Sequence, residues 1–276
     1  MEGILFMKIY EILDRENELS IGTLIYYKKS RTFIIELQGY LDEWNAPLLM
    51  TSFVKRGIFT IPRDISLMWV RERIIPSGRQ NIGMILNTHK LKEYDEMTFL
   101  EKSGGVCSQD SLYIRKLTKM PEYVVERSKR NLKDCTLCEN HILLCFFLDG
   151  SVRKADLNAF SGNYALEDRD IEKILRNDQL YRSGKITPGG YAVTFNDSID
   201  IASSSLYKNS IEIPLKLDDF FSFVKNNVLD TTEACGSLQC SRQNLAYMVK
   251  KEQIDPIKED VKGSLYLKGD VLAAAY

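Results

Sequence analysis

Two short apolar-periodic runs separated by a break, in residues 231–249, constrain this chain more than any other stretch. Thr232 offers a hydroxyl to the free amides at the start of a first helix. Ala234 and Leu238, four apart, share one face of it. Gln239 and Cys240 interrupt the run, and Ser241 offers a second N-cap. Behind it comes Arg242-Gln243-Asn244-Leu245-Ala246-Tyr247-Met248-Val249, with Leu245, Met248 and Val249 at helical spacing. Two short helices with a tight turn, the second opening on Ser-Arg-Gln-Asn, predict a helix-turn-helix.

The residues that follow extend the pattern. Runs 254–258 and 265–268 are short and β-like, and Gly263 between them suits the positive φ of a hairpin turn. Asp270-Val271-Leu272-Ala273-Ala274 then starts a closing helix. Helix, turn, helix, wing and helix over residues 229–274 resemble the excisionase-type, mercury-regulator-like winged helix-turn-helix. The residues that carry the resemblance are Thr231-Thr232-Glu233-Ala234, Cys240-Ser241-Arg242-Gln243-Asn244 and Leu265-Tyr266-Leu267-Lys268-Gly269-Asp270-Val271. The resemblance implies a double-stranded DNA partner. It also implies an interface of Ser241, Arg242, Gln243, Asn244, Tyr247 and Lys250 on the second helix, with Lys258 and Lys262 on the wing.

Side-chain chemistry agrees. Arginine bonds guanine O6 and N7 at two points, and glutamine or asparagine does the same for adenine N6 and N7, each pair worth about 1–3 kcal/mol of discrimination. Recognition helices carry such residues on their first turn, where the helix dipole also favours phosphate. The competing reading is a capped surface helix on which Arg242, Gln243 and Asn244 are merely solvated. Charge is the contrary observation: Lys225, Arg242, Lys250, Lys251, Lys258, Lys262 and Lys268 are balanced by Asp230, Glu233, Glu252, Asp255, Glu259, Asp260 and Asp270. Phosphate affinity rests on positive charge gathered on one face. A neutral module must therefore gather its lysines on the reading side or act as a homodimer.

The whole chain, 276 residues with 27% charged, 44% hydrophobic and a net charge of −1, has room for two or three domains and no global attraction to nucleic acid or membrane. No run approaches a membrane span. Residues 1–8 lack the basic-then-apolar order of a secretory leader, and the six cysteines form no dense framework, so a reduced, cytoplasmic protein is expected.

Upstream, residues 21–27 and 32–37 are rich in β-branched and aromatic types and flank the polar Lys28-Lys29-Ser30-Arg31, which predicts a hairpin. Pro47 introduces a helix over 48–54 ending near Gly57, and Asp64 is placed to cap another over 65–73. Arg79-Gln80-Asn81-Ile82 repeats the local pattern of Arg242-Gln243-Asn244-Leu245, but no wing follows, so a helical pair packed under the hairpin is the preferred reading. A helix over 93–102 ends at Ser103-Gly104-Gly105, with 110–117 short and mixed. His89, beside Lys90 and Lys92, reads as a surface residue.

A charged connector, helical over 121–129, leads to Cys135, Cys138, His141 and Cys145, which have the residue types of a zinc site. Residues 141–148, however, read as a buried strand. Two ligands spaced along an extended chain converge poorly, and cysteine is a common small core residue. No metal and no cofactor are therefore expected. Asp149-Gly150, Asp156-Leu157, Asn196-Asp197 and Asp200, set among short strands with a short helical part over 164–175 and ahead of Ser205-Leu206-Tyr207, resemble a small bacterial antiparallel-sheet domain family of unassigned function. Asp-Gly and Asn-Asp are also what hairpin turns require, which is preferred to a catalytic or metal role. Residues 217–228 form an aromatic-faced helix that packs on the sheet or serves a dimer seam.

The expected fold class is α+β in three modules. These are an N-terminal hairpin-plus-helices domain of unknown role (1–118), a small antiparallel sheet domain (137–215) after a connector (119–136), and a C-terminal winged helix-turn-helix (216–276). With no nucleophile set beside a base, the expected function is not enzymatic. It is a bacterial, sequence-specific DNA-binding transcriptional regulator. The alternative is an antitoxin or other interaction module that neutralises a partner protein and represses its own promoter.

Overall fold

A computed structural model describes residues 7–160, 165–214, 217–258 and 263–275. The protein is α+β, with antiparallel sheets, and divides into two compact units, residues 1–124 and 125–276. Among the described residues no helix is long and apolar enough to cross a membrane.

The first unit is built on strands β1 (Met7–Asp14), β2 (Ser20–Tyr27) and β3 (Thr32–Leu37). The expected hairpin pairs Tyr27 with Thr32, and Arg31 takes a positive φ of 53° in its turn. Helix α1 (Thr51–Val54) and strand β4 (Thr60–Ile61) lead to α2 (Arg63–Arg71), α3 (Ile82–Thr88), α4 (Glu96–Ser103) and strand β5 (Leu112–Lys116). The sheet order is β4-β3-β2-β1-β5, so β1, which the sequence pattern does not announce, lies inside the sheet. A register shift between Ile12 and Leu13 disturbs its alternation.

Asp64 does not cap α2. That helix begins at Arg63 behind Pro62 without a side-chain cap, and Asp64 lies in its first turn, where a carboxylate favours the dipole. The Ser66 hydroxyl accepts from the Ile35 amide at 3.0 Å and fixes α2 to β3. Beneath it, the Arg73 guanidinium lies 3.8 Å over the buried Trp69 ring and pairs with Asp110. The expected helical pair is only half present, because α3 buries no residue. Asp95, not a residue at 93, starts α4, accepting from the Thr98 amide at 2.8 Å. His89 is exposed.

Helix α5 (Glu122–Ser128) runs across the join between the units. Within the expected connector the chain forms β6 (Leu132–Leu137), which pairs with β7 (Ile142–Phe147) and belongs to the second unit's sheet. Strand β8 (Val152–Asp156), helices α6 (Ala165–Leu175) and α7 (Asp178–Arg182), strands β9 (Lys185–Ile186), β10 (Ala192–Phe195) and β11 (Ile199–Ala202), helix α8 (Ser203–Lys208) and strand β12 (Ile211–Glu212) follow. They make two sheets, β12-β8-β7-β6 and β11-β10-β9, around one core containing Leu143, Cys145, Phe147, Ile174, Val193 and Phe195. Gly190, at φ 70°, lets the chain turn against β6. A Cβ there would stand 2.0 Å from the Leu132 carbonyl oxygen.

The C-terminal part comprises α9 (Leu217–Asn227), β13 (Val228–Leu229), α10 (Thr231–Leu238), α11 (Arg242–Lys250), β14 (Tyr266–Leu267) and α12 (Lys268–Ala273). Several contacts attach it to the sheet, among them the Lys154–Asp219 ion pair at 3.8 Å. Phe223 of α9 packs on Phe146 with ring centroids 4.4 Å apart. The buried Asn227 donates its side-chain amide to the Thr136 hydroxyl. The buried Asp134 carboxylate accepts from the Cys135 amide at 2.7 Å and from the Gly269 amide at 3.1 Å.

Candidate nucleic-acid interface

The helix pair has its own core: Ala234 and Leu238 of α10, Leu245 and Met248 of α11, and Ile254, Tyr266, Val271 and Ala274 beyond them. These are the apolar positions of the sequence pattern, and burying one stripe on each helix is what holds so short a pair together. The start of α10 differs from expectation. Asp230, not Thr232, is its N-cap: the carboxylate accepts from the Thr232 amide at 2.7 Å and the Glu233 amide at 2.8 Å, and Glu233 accepts from the Asp230 amide at 2.9 Å. This closed capping box satisfies more free donors than a threonine hydroxyl can. Gln239, left-handed at φ 51°, ends α10, and Ser241 caps α11 by accepting from the Asn244 amide at 3.2 Å.

Beyond α11 the wing is shorter than the sequence pattern predicts. Among the described residues the wing pairing is one bridge between Lys258 and Leu265, with Leu265 donating to the Lys258 carbonyl at 2.9 Å and Ile257 donating to the Leu265 carbonyl at 2.7 Å. Residues Tyr266 and Leu267 pair with Leu229 and Val228 instead. The closing helix starts at Lys268, not Asp270. Lys262 lies outside the described residues.

The exposed face of α11 follows from its buried one. With Leu245 and Met248 inward, Gln243, Tyr247 and Lys250 form one outward row at i, i+4 and i+7, and the small Ala246 lies beside it. Tyr247 is 56% exposed, and the Lys251 amine lies 5.8 Å over its ring. Arg242 and Asn244 flank the row. The Arg242 guanidinium reaches back to donate to the Thr232 hydroxyl at 3.2 Å, so it sits between the two helices. Lys258 is exposed at the base of the wing.

The segment is neutral, but its charges are unevenly employed. Asp230 and Glu233 are engaged in the capping box, and Asp270 is half-buried, its carboxyl raised by burial against the opposing pull of Lys133. Arg242, Lys250, Lys251 and Lys258 remain exposed. The row of Gln243, Tyr247 and Lys250, missed as a row in the sequence, was legible there from the phase of Leu245 and Met248.

The four residues of the zinc pattern are dispersed in role. Cys135 and Cys145 oppose each other across β6 and β7 in the core, and the neighbouring Cys145 together with burial pushes the Cys135 thiol well up. Cys138 is half-buried, with its thiol raised by burial. His141 is not on a strand: it takes a positive φ of 57° in the turn before β7, packs on Tyr181, and lies 3.3 Å from Asp178. Among the described residues no three His, Cys, Asp or Glu side chains group to hold a metal ion.

Of the acids singled out in the sheet domain, Asp149, Asp156 and Asp197 serve turns, whereas Asp200 lies in β11 opposite Thr194. Asn196 and Asp197 both have positive φ in the β10–β11 turn, and Asp197 pairs with Lys185 at 2.9 Å. Asp149 accepts from the Ser151 amide and the Tyr207 hydroxyl, and Asp156 accepts from the Asn158 amide. No family model, curated protein or solved structure matches this chain.

Proposed function

We propose that the protein is a sequence-specific regulator that binds double-stranded DNA through α11, with the wing beside it on the phosphates. The observation that carries this reading is the outward row of Gln243, Tyr247 and Lys250 on a helix capped by Ser241 and anchored by Leu245 and Met248. Its residue types are those that read base edges and pair with phosphate. Arg242 and Asn244 at the row's margins, with Lys258 and Lys262, complete the proposed interface. The N-terminal and sheet parts serve assembly, and the setting is a bacterial cytoplasm.

A neutral module gains affinity by doubling. Phe220 and Phe221 of α9 are 44% and 57% exposed, and Ile211 of β12 is 75% exposed, which supports a protein partner on that side. The partner proposed is a second copy of this chain on a two-part site.

The test is electrophoretic retardation of a fragment carrying the protein's own promoter, repeated at several salt concentrations with a shuffled fragment as control. The reading expects preferential binding of the promoter fragment. It also expects Lys258→Ala to weaken both fragments alike and lower the salt slope by about one. Equal binding to both fragments, or none, refutes it.

A further inference from the structure

An open cleft of 680 Å³ lies where the sheet domain meets the C-terminal segment, and neither the fold's packing nor the proposed DNA-reading face uses it. Its size is in the range of small-molecule sites, about 300–1,000 Å³. Three cationic side chains from three separate elements line it: Arg182 at the end of α7, Lys225 near the end of α9, and Lys268 at the start of α12. None of the three has a hydrogen bond or ion pair to any described residue. Two acids, Glu139 and Asp178, also line the cleft, the latter exposed and 3.3 Å from His141, so the three cations outnumber them.

Lys268 acts on the buried Asp134 carboxylate from a distance, but no described carboxylate bonds any of the three; cations lining one cleft repel one another, and an anion among them removes that cost. We propose that this cleft binds a small molecule carrying a phosphate or carboxylate group, held by Arg182, Lys225 and Lys268.

The placement gives such a ligand leverage on the helix pair. Val228 pairs with Leu267 across β13 and β14, the two-stranded frame on which α10 and α11 are hung. Lys225 stands three residues before that pair and Lys268 one residue after it. Arg182 belongs to the sheet domain. An anion bridging all three therefore ties the frame to the sheet and biases the angle at which the helix pair is carried. Ligand binding itself does not depend on whether α11 reads DNA, so the two proposals fail separately.

The test is an amide-resolved titration of the full chain, labelled for NMR, with inorganic phosphate in one arm and succinate in another. Sodium chloride at matched ionic strength is the reference. Saturable shifts confined to the amides of His141, Arg182, Lys225, Asn226 and Lys268, at millimolar phosphate or succinate, support the proposal. The arm that saturates first tells phosphate from carboxylate. The variant Arg182→Gln/Lys225→Gln/Lys268→Gln should weaken binding about tenfold or more while its other cross-peaks stay put. Because wild-type localisation is decisive alone, a variant that misfolds does not protect the idea. Shifts no larger than those in sodium chloride overturn it, as do shifts scattered over exposed lysines such as Lys28 and Lys29, or affinity unchanged in a folded variant.

Discussion

Replacing Asp134 with asparagine should make the second unit gain stability relative to wild type as pH rises from acid to neutral. The carboxylate is 6% exposed, held between the Cys135 amide and the Gly269 amide of α12. Burial pushes its pKa from the usual 3.8 up to about 6, although both amides and the Lys268 charge pull the other way. A carboxyl with a raised folded pKa holds its proton in the native state over a range where the unfolded chain has lost it. Stability is therefore greatest below pH 3.8, falls as pH rises towards 6, and levels above that. The gap corresponds to about 3 kcal/mol of penalty on the charged form at pH 7. Asparagine removes the charge but can accept from only one of the two amides, which bond different carboxylate oxygens. That lost bond is a cost at every pH, so the stability of Asp134→Asn relative to wild type should rise by up to about 3 kcal/mol between pH 4 and pH 7. Both tryptophans, Trp44 and Trp69, lie in the first unit, so their fluorescence does not report on this change. Hydrogen exchange of the β6 and α12 amides, measured against pH, does. A stability difference between variant and wild type that stays constant from pH 4 to 7 would refute the reasoning.

Two further outcomes follow from the geometry. Asp230→Ala opens the capping box and should cost about 1 kcal/mol, seen as faster exchange in α10 with the sheet amides unaltered. Gly190→Ala places a methyl against the Leu132 carbonyl oxygen in a left-handed conformation, so it should destabilise the second unit by more than about 1 kcal/mol in chemical denaturation.

The elements that could be read in the sequence are those whose pattern is local. The β2–β3 hairpin, the apolar stripes of α10 and α11, the Ser241 cap of α11 and the Asn196-Asp197 turn each depend on residues a few positions apart. Elements settled by distant partners were not readable. Strand β1 has a bulged, two-sided burial pattern that blurs its alternation. In the segment taken for a connector, Lys133 and Asp134 hide a strand, because Asp134 is buried beneath α12, residues far away in sequence. The same holds for the wing. Tyr266 and Leu267 have the composition of a wing strand, but they pair with Val228 and Leu229, which no local pattern reveals. On α11 the candidate residues were legible singly. Their division into an outward row and two flanking positions needed the buried phase of Leu245 and Met248, and the Arg242–Thr232 bond needed the neighbouring helix.

Whether α11 reads bases is measured most directly by fluorescence anisotropy of the promoter fragment with wild type and Arg242→Ala/Gln243→Ala/Asn244→Ala. All three side chains are exposed, so the variant should keep the wild-type fold by circular dichroism. Cognate affinity should fall by at least the about 1–3 kcal/mol of one lost bidentate contact, with random-sequence affinity little changed. A folded triple variant that binds the promoter as tightly as wild type would contradict base reading by α11.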